Sequence, residues 1–307
     1  MRTSCSFQKS KNEPCNGPGV KVQVLGSGGA DFPGGRAGSA YALWVDDKAR
    51  LLIDIGPGSA LHFVAAGARA TDLDAILLTH LHVDHALDLP AFVSLALQEN
   101  RARPLPLYGP TGNRLAPSTV AFARALFDGA RGAYRQLGEV LSPLAKDGFR
   151  LDVHEVHYRP SPVGVRREEN TGMVDIPIGE RAVATAAEVI HGGYPALAWR
   201  IRIGARSVVF TGDTNGEGGG LERLAQGADL LVADHAVPEG AAGVERYAHM
   251  PPSVIGRIAA QANAKRVVLS HRTDRTLSQE DASLASIRSR YNGPVTFAND
   301  LDCVAVP

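Results

Sequence analysis

The sequence predicts an α/β protein made of two similar halves packed face to face, with a sheet-on-sheet core and helices outside. Three observations predict it. Apolar or alternating runs of strand length recur along the chain, separated by glycine-bearing turns and by amphipathic stretches of helical period. After Arg181 the order of elements seen in the first half returns in outline. Side chains able to hold a metal stand at one kind of place, just past the C-terminal end of an apolar strand, where a rigid element can aim them.

A chain of 307 residues can bury a substantial core. The organisation expected is a disordered leader over residues 1–19, rich in Lys, Ser, Asn, Pro and Gly, followed by a single domain over 20–307. Lys plus Arg equals Asp plus Glu, so no whole-protein field draws the chain onto nucleic acid or an anionic membrane. No apolar run reaches the ~18 residues of a membrane span, and the leader lacks the apolar segment of a signal peptide. A soluble, cytoplasmic protein is therefore expected, or an exported or periplasmic one if the chain is a processed form. Cys5, Cys15 and Cys303 make no disulfide framework; a Cys5–Cys15 bridge within the leader is compatible with an oxidising compartment.

Regular structure is expected to begin with an alternating strand at residues 20–25, which breaks at Gly26-Ser27-Gly28-Gly29. Neither GxGxxG opening a helix nor GK[ST] is present, so these glycines read as a structural turn at the rim of a site. Strands at 40–45 and 50–55 follow as a hairpin, and Asp54 ends the second. A carboxylate there would be costly to bury alone, so it caps the next segment or orients a ligand imidazole, the second role being favoured beside a histidine cluster. Helices are expected at 59–67, 87–99 and 117–126, with short strands at 75–78 and 105–108. Residues 140–180 are the least regular; His154 and His157 lie three apart on an alternating stretch and point to opposite faces. The second half reads as strands at 182–189, 196–203, 207–211, 230–233 and 266–269, helices near 221–226 and 252–262, and a last helix and strand.

The densest chemistry is His80-Leu81-His82-Val83-Asp84-His85, which follows the apolar run ending at Leu78. His191, Asp213 and His271 follow other apolar strands, and strand ends of one sheet lie side by side. Seven candidate ligands exceed one tetrahedral zinc; they suit two ions if one carboxylate bridges. His80 and His82 are two apart, unlike the helical HExxH pair of metalloproteases, and no Gly-x-Ser-x-Gly supplies a serine nucleophile.

His80-Leu81-His82-Val83-Asp84-His85 followed by His191, Asp213 and His271, with Asp54 ahead of them, resembles the metallo-β-lactamase-fold hydrolases over residues 20–303. Leu25-Gly26-Ser27-Gly28-Gly29, the stretch from Val189 to Leu197, Phe210-Thr211-Gly212-Asp213-Thr214 and Ala248-His249-Met250-Pro251-Pro252-Ser253 are most similar to the ribonuclease Z group. The resemblance implies a four-layer αββα sandwich, with His80, His82 and His191 on one metal, Asp84, His85 and His271 on the other, and Asp213 bridging. It also implies that His249 stabilises the scissile phosphate or protonates the leaving group.

Two departures count against transfer-RNA processing. The ribonuclease group has a glutamate three positions before the bridging aspartate, where this chain has Phe210. That group also projects a long basic arm, whereas residues 151–180 are short and mixed, with Arg166-Arg167-Glu168-Glu169 nearly self-cancelling. The expected activity is that of a dinuclear metal-dependent hydrolase using a hydroxide shared between two divalent ions, with Asp84 holding it and accepting its proton. Zinc is the first expectation, manganese or iron the alternatives. The expected substrate is a small phosphodiester; a lactonase or β-lactamase on the same site and a ribonuclease Z-type nuclease are the alternatives. A small-molecule partner is expected, with no clear nucleic-acid surface and no membrane; a homodimer is compatible with the sequence.

Overall fold

Backbone pairing gathers the strands of the described residues into two seven-stranded sheets. The structure is a computed structural model and describes residues 15–142, 148–157 and 172–307. Its strands are β1 (Val20–Gly26), β2 (Ala40–Val45), β3 (Lys48–Ile55), β4 (Ala75–Leu77), β5 (Leu105–Pro110), β6 (Leu151–Val156), β7 (Met173–Ile178), β8 (Ala182–His191), β9 (Tyr194–Ile203), β10 (Arg206–Phe210), β11 (Leu230–Asp234), β12 (Val267–Ser270), β13 (Val295–Phe297) and β14 (Cys303–Ala305). One sheet runs β14-β1-β2-β3-β4-β5-β6, the other β13-β12-β11-β10-β9-β8-β7. The last strand thus returns to the first sheet, antiparallel to β1.

Each sheet is antiparallel on one side and parallel on the other. The parallel strands β4, β11 and β12 are buried along their whole length and read as continuous apolar runs, as strands covered on both faces must. The helices are α1 (Ser59–Ala65), α2 (Val83–Ala86), α3 (Leu89–Gln98), α4 (Thr119–Phe127), α5 (Gly220–Leu224), α6 (Gly243–Ala248), α7 (Pro252–Gln261), α8 (Asp274–Leu277) and α9 (Glu280–Arg288). Of these, α4 starts as its sequence indicates, with Ser118 Oγ accepting from Ala121 N at 3.2 Å.

Three apolar layers separate the four layers of structure. Phe63, Phe92 and Phe127 bring α1, α3 and α4 onto the outer face of the first sheet. Tyr41, Leu43, Ile53, Trp199 and Phe210 fill the space between the sheets. Leu224, Ile255, Ile258 and Ile287 pack α5, α7 and α9 on the second sheet. The expected αββα sandwich is therefore the fold. Directly behind the histidine cluster the sheets are also hydrogen-bonded to each other. Leu197 N donates to Thr79 O at 2.8 Å and Trp199 Nε1 donates to Leu78 O at 3.0 Å.

Several expectations need correction in detail. Asp84 and His85 sit on the single turn of α2, a helix not expected from the sequence, while His80 and His82 precede it in a loop. The irregular 140–180 stretch contains β7, an edge strand paired antiparallel with β8. The leader is described only from Cys15, which is buried and forms a disulfide with Cys303 across 288 residues. The bridge therefore ties the N-terminal segment to β14 rather than to Cys5, which lies outside the described residues, as do residues 158–171 with the Arg166–Glu169 run. Among the described residues no helix is long and apolar enough to cross a membrane.

Candidate metal centre

His80, His82, Asp84, His85, His191, Asp213 and His271 converge at one end of the sandwich, where strand ends of both sheets meet. β4 gives way to the loop carrying His80 and His82, and α2 then turns Asp84 and His85 inward. His191 is the last residue of β8, opposite Tyr194 in the β8–β9 hairpin, whose turn is Gly192-Gly193. Both glycines have positive φ, 57° and 93°, which a side chain would disfavour. Asp213 and His271 follow β10 and β12.

The ring nitrogens form two groups. His80 Nε2 lies 3.0 Å and His191 Nε2 3.3 Å from His82 Nδ1. His271 Nε2 lies 3.1 Å from Asp84 Oδ2, and His85 Nε2 3.5 Å from the same oxygen. Asp213 lies between the groups. Its Oδ2 is 3.8 Å from His80 and 3.5 Å from His191, while its Oδ1 is 3.8 Å from His85 and 3.2 Å from His271.

Hydrogen bonds around the centre set which nitrogen faces inward. Asp54 Oδ1 accepts from Thr79 N at 2.7 Å and its Oδ2 from Thr79 Oγ1 at 2.8 Å. With its proton committed to Asp54, the Thr79 hydroxyl is left to accept from His80 Nδ1 at 3.0 Å. His85 Nδ1 donates to Asp54 Oδ2 at 2.8 Å, and His191 Nδ1 to Ala248 O at 3.0 Å. With Nδ1 committed in all three rings, Nε2 is the nitrogen that points into the cluster. Two residues here carry left-handed backbone, Asp54 at φ 54° and His271 at φ 52°, a conformation that costs an ordinary residue energy and recurs at functional sites. Gly29 makes room for the His271 ring: a Cβ there would lie 2.8 Å from Cε1 and 2.9 Å from Nδ1.

Burial and charge divide the two groups. Burial, reinforced by His85, keeps His80 well below its usual range, and burial with His191 lowers His82. For His85 burial acts downward too, but Asp84, Asp54 and Asp213 outweigh it and hold the ring at about 9. His271 is raised well above its ordinary value in the same way, against burial, by Asp213, Asp84 and Asp234. Against burial, His85 and His271 hold Asp84 down at about 2, and four imidazoles hold Asp213 well below the carboxylate range.

This donor set suits metal ions. His85 Nε2 and Asp213 Oδ1 are buried with no hydrogen-bond partner among the described residues, where a buried polar atom ordinarily has one. Imidazole nitrogen and carboxylate oxygen are the donors zinc, manganese and iron accept. Two four-residue sets have donor atoms within 4.8 Å of one another: His80, His82, His191 and Asp213, and His85, Asp213, Asp234 and His271.

Asp234 was not among the sequence candidates. It ends β11 after an apolar run, the same signature as the others, and burial together with the neighbouring Asp213 charge pushes it up to about 8 against the pull of His271 and His85. Thr79 was missed as well. His249 stands at the edge of the centre, its Nδ1 3.8 Å from Asp213 Oδ2 and its ring 5.1 Å from His191. Phe210, at the position of the expected glutamate, is buried between the sheets with its ring 5.3 Å from Tyr41. His154 is elsewhere, stacked on Tyr108, and His62 on α1 bonds Leu25 O.

A model of the beta-lactamase superfamily domain matches residues 49–272. The chain is 28% identical over 310 residues to a ribonuclease Z of Halorubrum lacusprofundi, covering 94% of this chain and 97% of that protein. It is 27% identical over 285 residues to a ribonuclease Z of Nocardia farcinica, covering 84% and 88%. Among solved structures, the short form of human tRNase Z superposes with a TM-score of 0.70 at 23% identity, covering 94% of this chain and 99% of that one.

Proposed function

The chain belongs to the beta-lactamase superfamily and is a metal-dependent hydrolase of that fold; from that premise we propose that it cleaves small phosphodiesters at a centre for two divalent ions. In this reading His80, His82 and His191 hold one ion, Asp84, His85 and His271 the other, and Asp213 bridges them. The observation that carries it is the carboxylate of Asp213, whose two oxygens face the two imidazole groups separately. Asp234, beside the second group, steadies it. Two divalent ions, zinc by first expectation, would acidify a shared water to a pKa of about 7 and stabilise charge developing on oxygen.

The chain's own residues supply the rest. Asp84 is ionised across the neutral range and lies at the second group, so it can orient the attacking water and take its proton. Asp54 orients His85 directly and His80 through Thr79, so that Nε2 of each ring is the nitrogen presented to the metal site. Burial, with His271, His191 and Arg275, outweighs the Asp213 carboxylate and lowers His249 to about 4. A neutral His249 still carries one N–H. Its role is therefore to donate a hydrogen bond to a phosphoryl oxygen rather than to deliver a proton.

Purified protein loaded with zinc or manganese should hydrolyse aryl phosphodiesters, and His249→Ala should lower that rate while sparing metal content. Inactivity on diesters alongside turnover of lactones or β-lactams would replace this reading with the acyl one. The curated relatives' name favours a second reading, RNA cleavage. Cutting of a structured RNA with a 3′ extension, at rates above those on small diesters, would establish it.

A further inference from the structure

The cavity over the metal centre holds about 470 Å³, within the range of small-ligand sites. Apart from the candidate ligands and His249, it is lined chiefly by apolar and aromatic groups, among them Tyr194, Tyr247 and Val244. Exposed apolar side chains carry meaning when they cluster, and Tyr194 (38% exposed), Tyr247 (57%) and Val244 (82%) all line this one cavity. Both tyrosines are also tied to the first imidazole group. Tyr194 pairs with His191 across the hairpin and sets its ring edge-on to His82 at 4.5 Å between centroids. Tyr247 precedes Ala248, whose carbonyl holds His191 Nδ1. Gly192 lines the same cavity, and a Cβ there would meet Ala248 at 3.5 Å and Tyr247 at 3.9 Å, so a larger residue would narrow the space beside the Tyr247 ring.

The charged groups of the rim are already engaged. Arg275, the lining cation, is bonded to Glu245, and Asp31 accepts from Asp274 N at 3.0 Å. With one cation against two carboxylates, the rim offers no attraction to phosphates beyond the one at the metals. Apolar aromatic walls beside a dication centre suit a single negative charge joined to a flat ring.

We propose that Tyr194 and Tyr247 form a specificity clamp that grips a planar aromatic group, aryl or nucleobase, carried by a monoanionic phosphodiester. The clamp rests on the phosphodiester reading for the identity of its anion, and on the exposed rings for the aromatic group.

The test is binding to metal-loaded protein, measured by calorimetry with diphenyl phosphate, dimethyl phosphate and 3′,5′-cyclic AMP, for wild type, Tyr194→Leu, Tyr247→Leu and the two Phe variants. Metal content is read in parallel. Wild type should bind diphenyl phosphate more tightly than dimethyl phosphate by about 10-fold or more, since both the ring's burial and its contact with the tyrosine rings favour it. Each Leu variant should cut that ratio by about 3-fold or more, and each Phe variant should keep it. If Tyr194→Leu loses metal, Tyr247→Leu decides alone. Cyclic AMP binding with the same dependence identifies a nucleobase as the ring; its absence leaves an aryl group. A ratio near one in wild type, or an unchanged ratio in Tyr247→Leu, overturns the clamp. Ring-dependent binding with no hydrolysis of any diester keeps the clamp and removes the phosphodiesterase reading; hydrolysis with a ring-independent ratio does the reverse.

Discussion

Asp54 accepts the Nδ1 hydrogen of His85 at 2.8 Å, and the same carboxylate anchors Thr79, which in turn holds His80. One acid behind the cluster thereby orients a ligand in each imidazole group. Asp54→Asn should weaken metal binding by about 10- to 100-fold, the usual loss when such a partner is removed. Competition with a fluorescent chelator measures it, and unchanged affinity for both ions would show that the network is not needed.

Metal uptake should release protons at neutral pH. His85 titrates at about 9, so it is protonated at pH 7 in the metal-free protein and must lose a proton to bind, and the raised His271 acts in the same direction. Affinity at the second group should rise from pH 7 to about 9. For stability the sign is opposite: the raised His85 value supports the metal-free fold fully below about pH 6.5 and ceases to as pH climbs through about 9. Calorimetry in two buffers of different ionisation enthalpy counts the protons, and equal apparent enthalpies would refute the idea.

Gly29→Ala puts a methyl 2.8 Å from the His271 ring, so the ring or the loop must move. Loss of one ion with the fold retained is expected, read as metal per chain and by thermal melting. Full metal occupancy would mean that the loop yields.

The Cys15–Cys303 bridge closes most of the chain into one loop. Reduction, or Cys15→Ser, should lower stability by about 2–5 kcal/mol. Denaturation midpoints with and without reductant measure the change. Three free thiols in protein isolated without reductant would contradict the bridge.

The strands that deliver His80, His191, Asp213 and His271 were legible because each is an apolar run ended by a polar ligand. Asp234 carries the same signature, but read alone it is an ordinary strand end; only the packing of β11 between β10 and β12 brings it to the centre. Helix α2 was not legible, since a four-residue turn has too few positions to show a period. Nor was β7, whose partner β8 supplies its register. The cysteine pairing depends on β14 returning to β1, a contact between the two ends of the sequence that local pattern does not encode. Tyr194 and Tyr247 gave no signal because their meaning lies in exposure, which only a folded surface defines.

The two-ion reading turns on Asp213, and metal stoichiometry by elemental mass spectrometry tests it most directly. Two ions per wild-type chain, falling to one or none in Asp213→Ala with the fold intact, is the predicted result; one ion per wild-type chain, or two retained without Asp213, would contradict it.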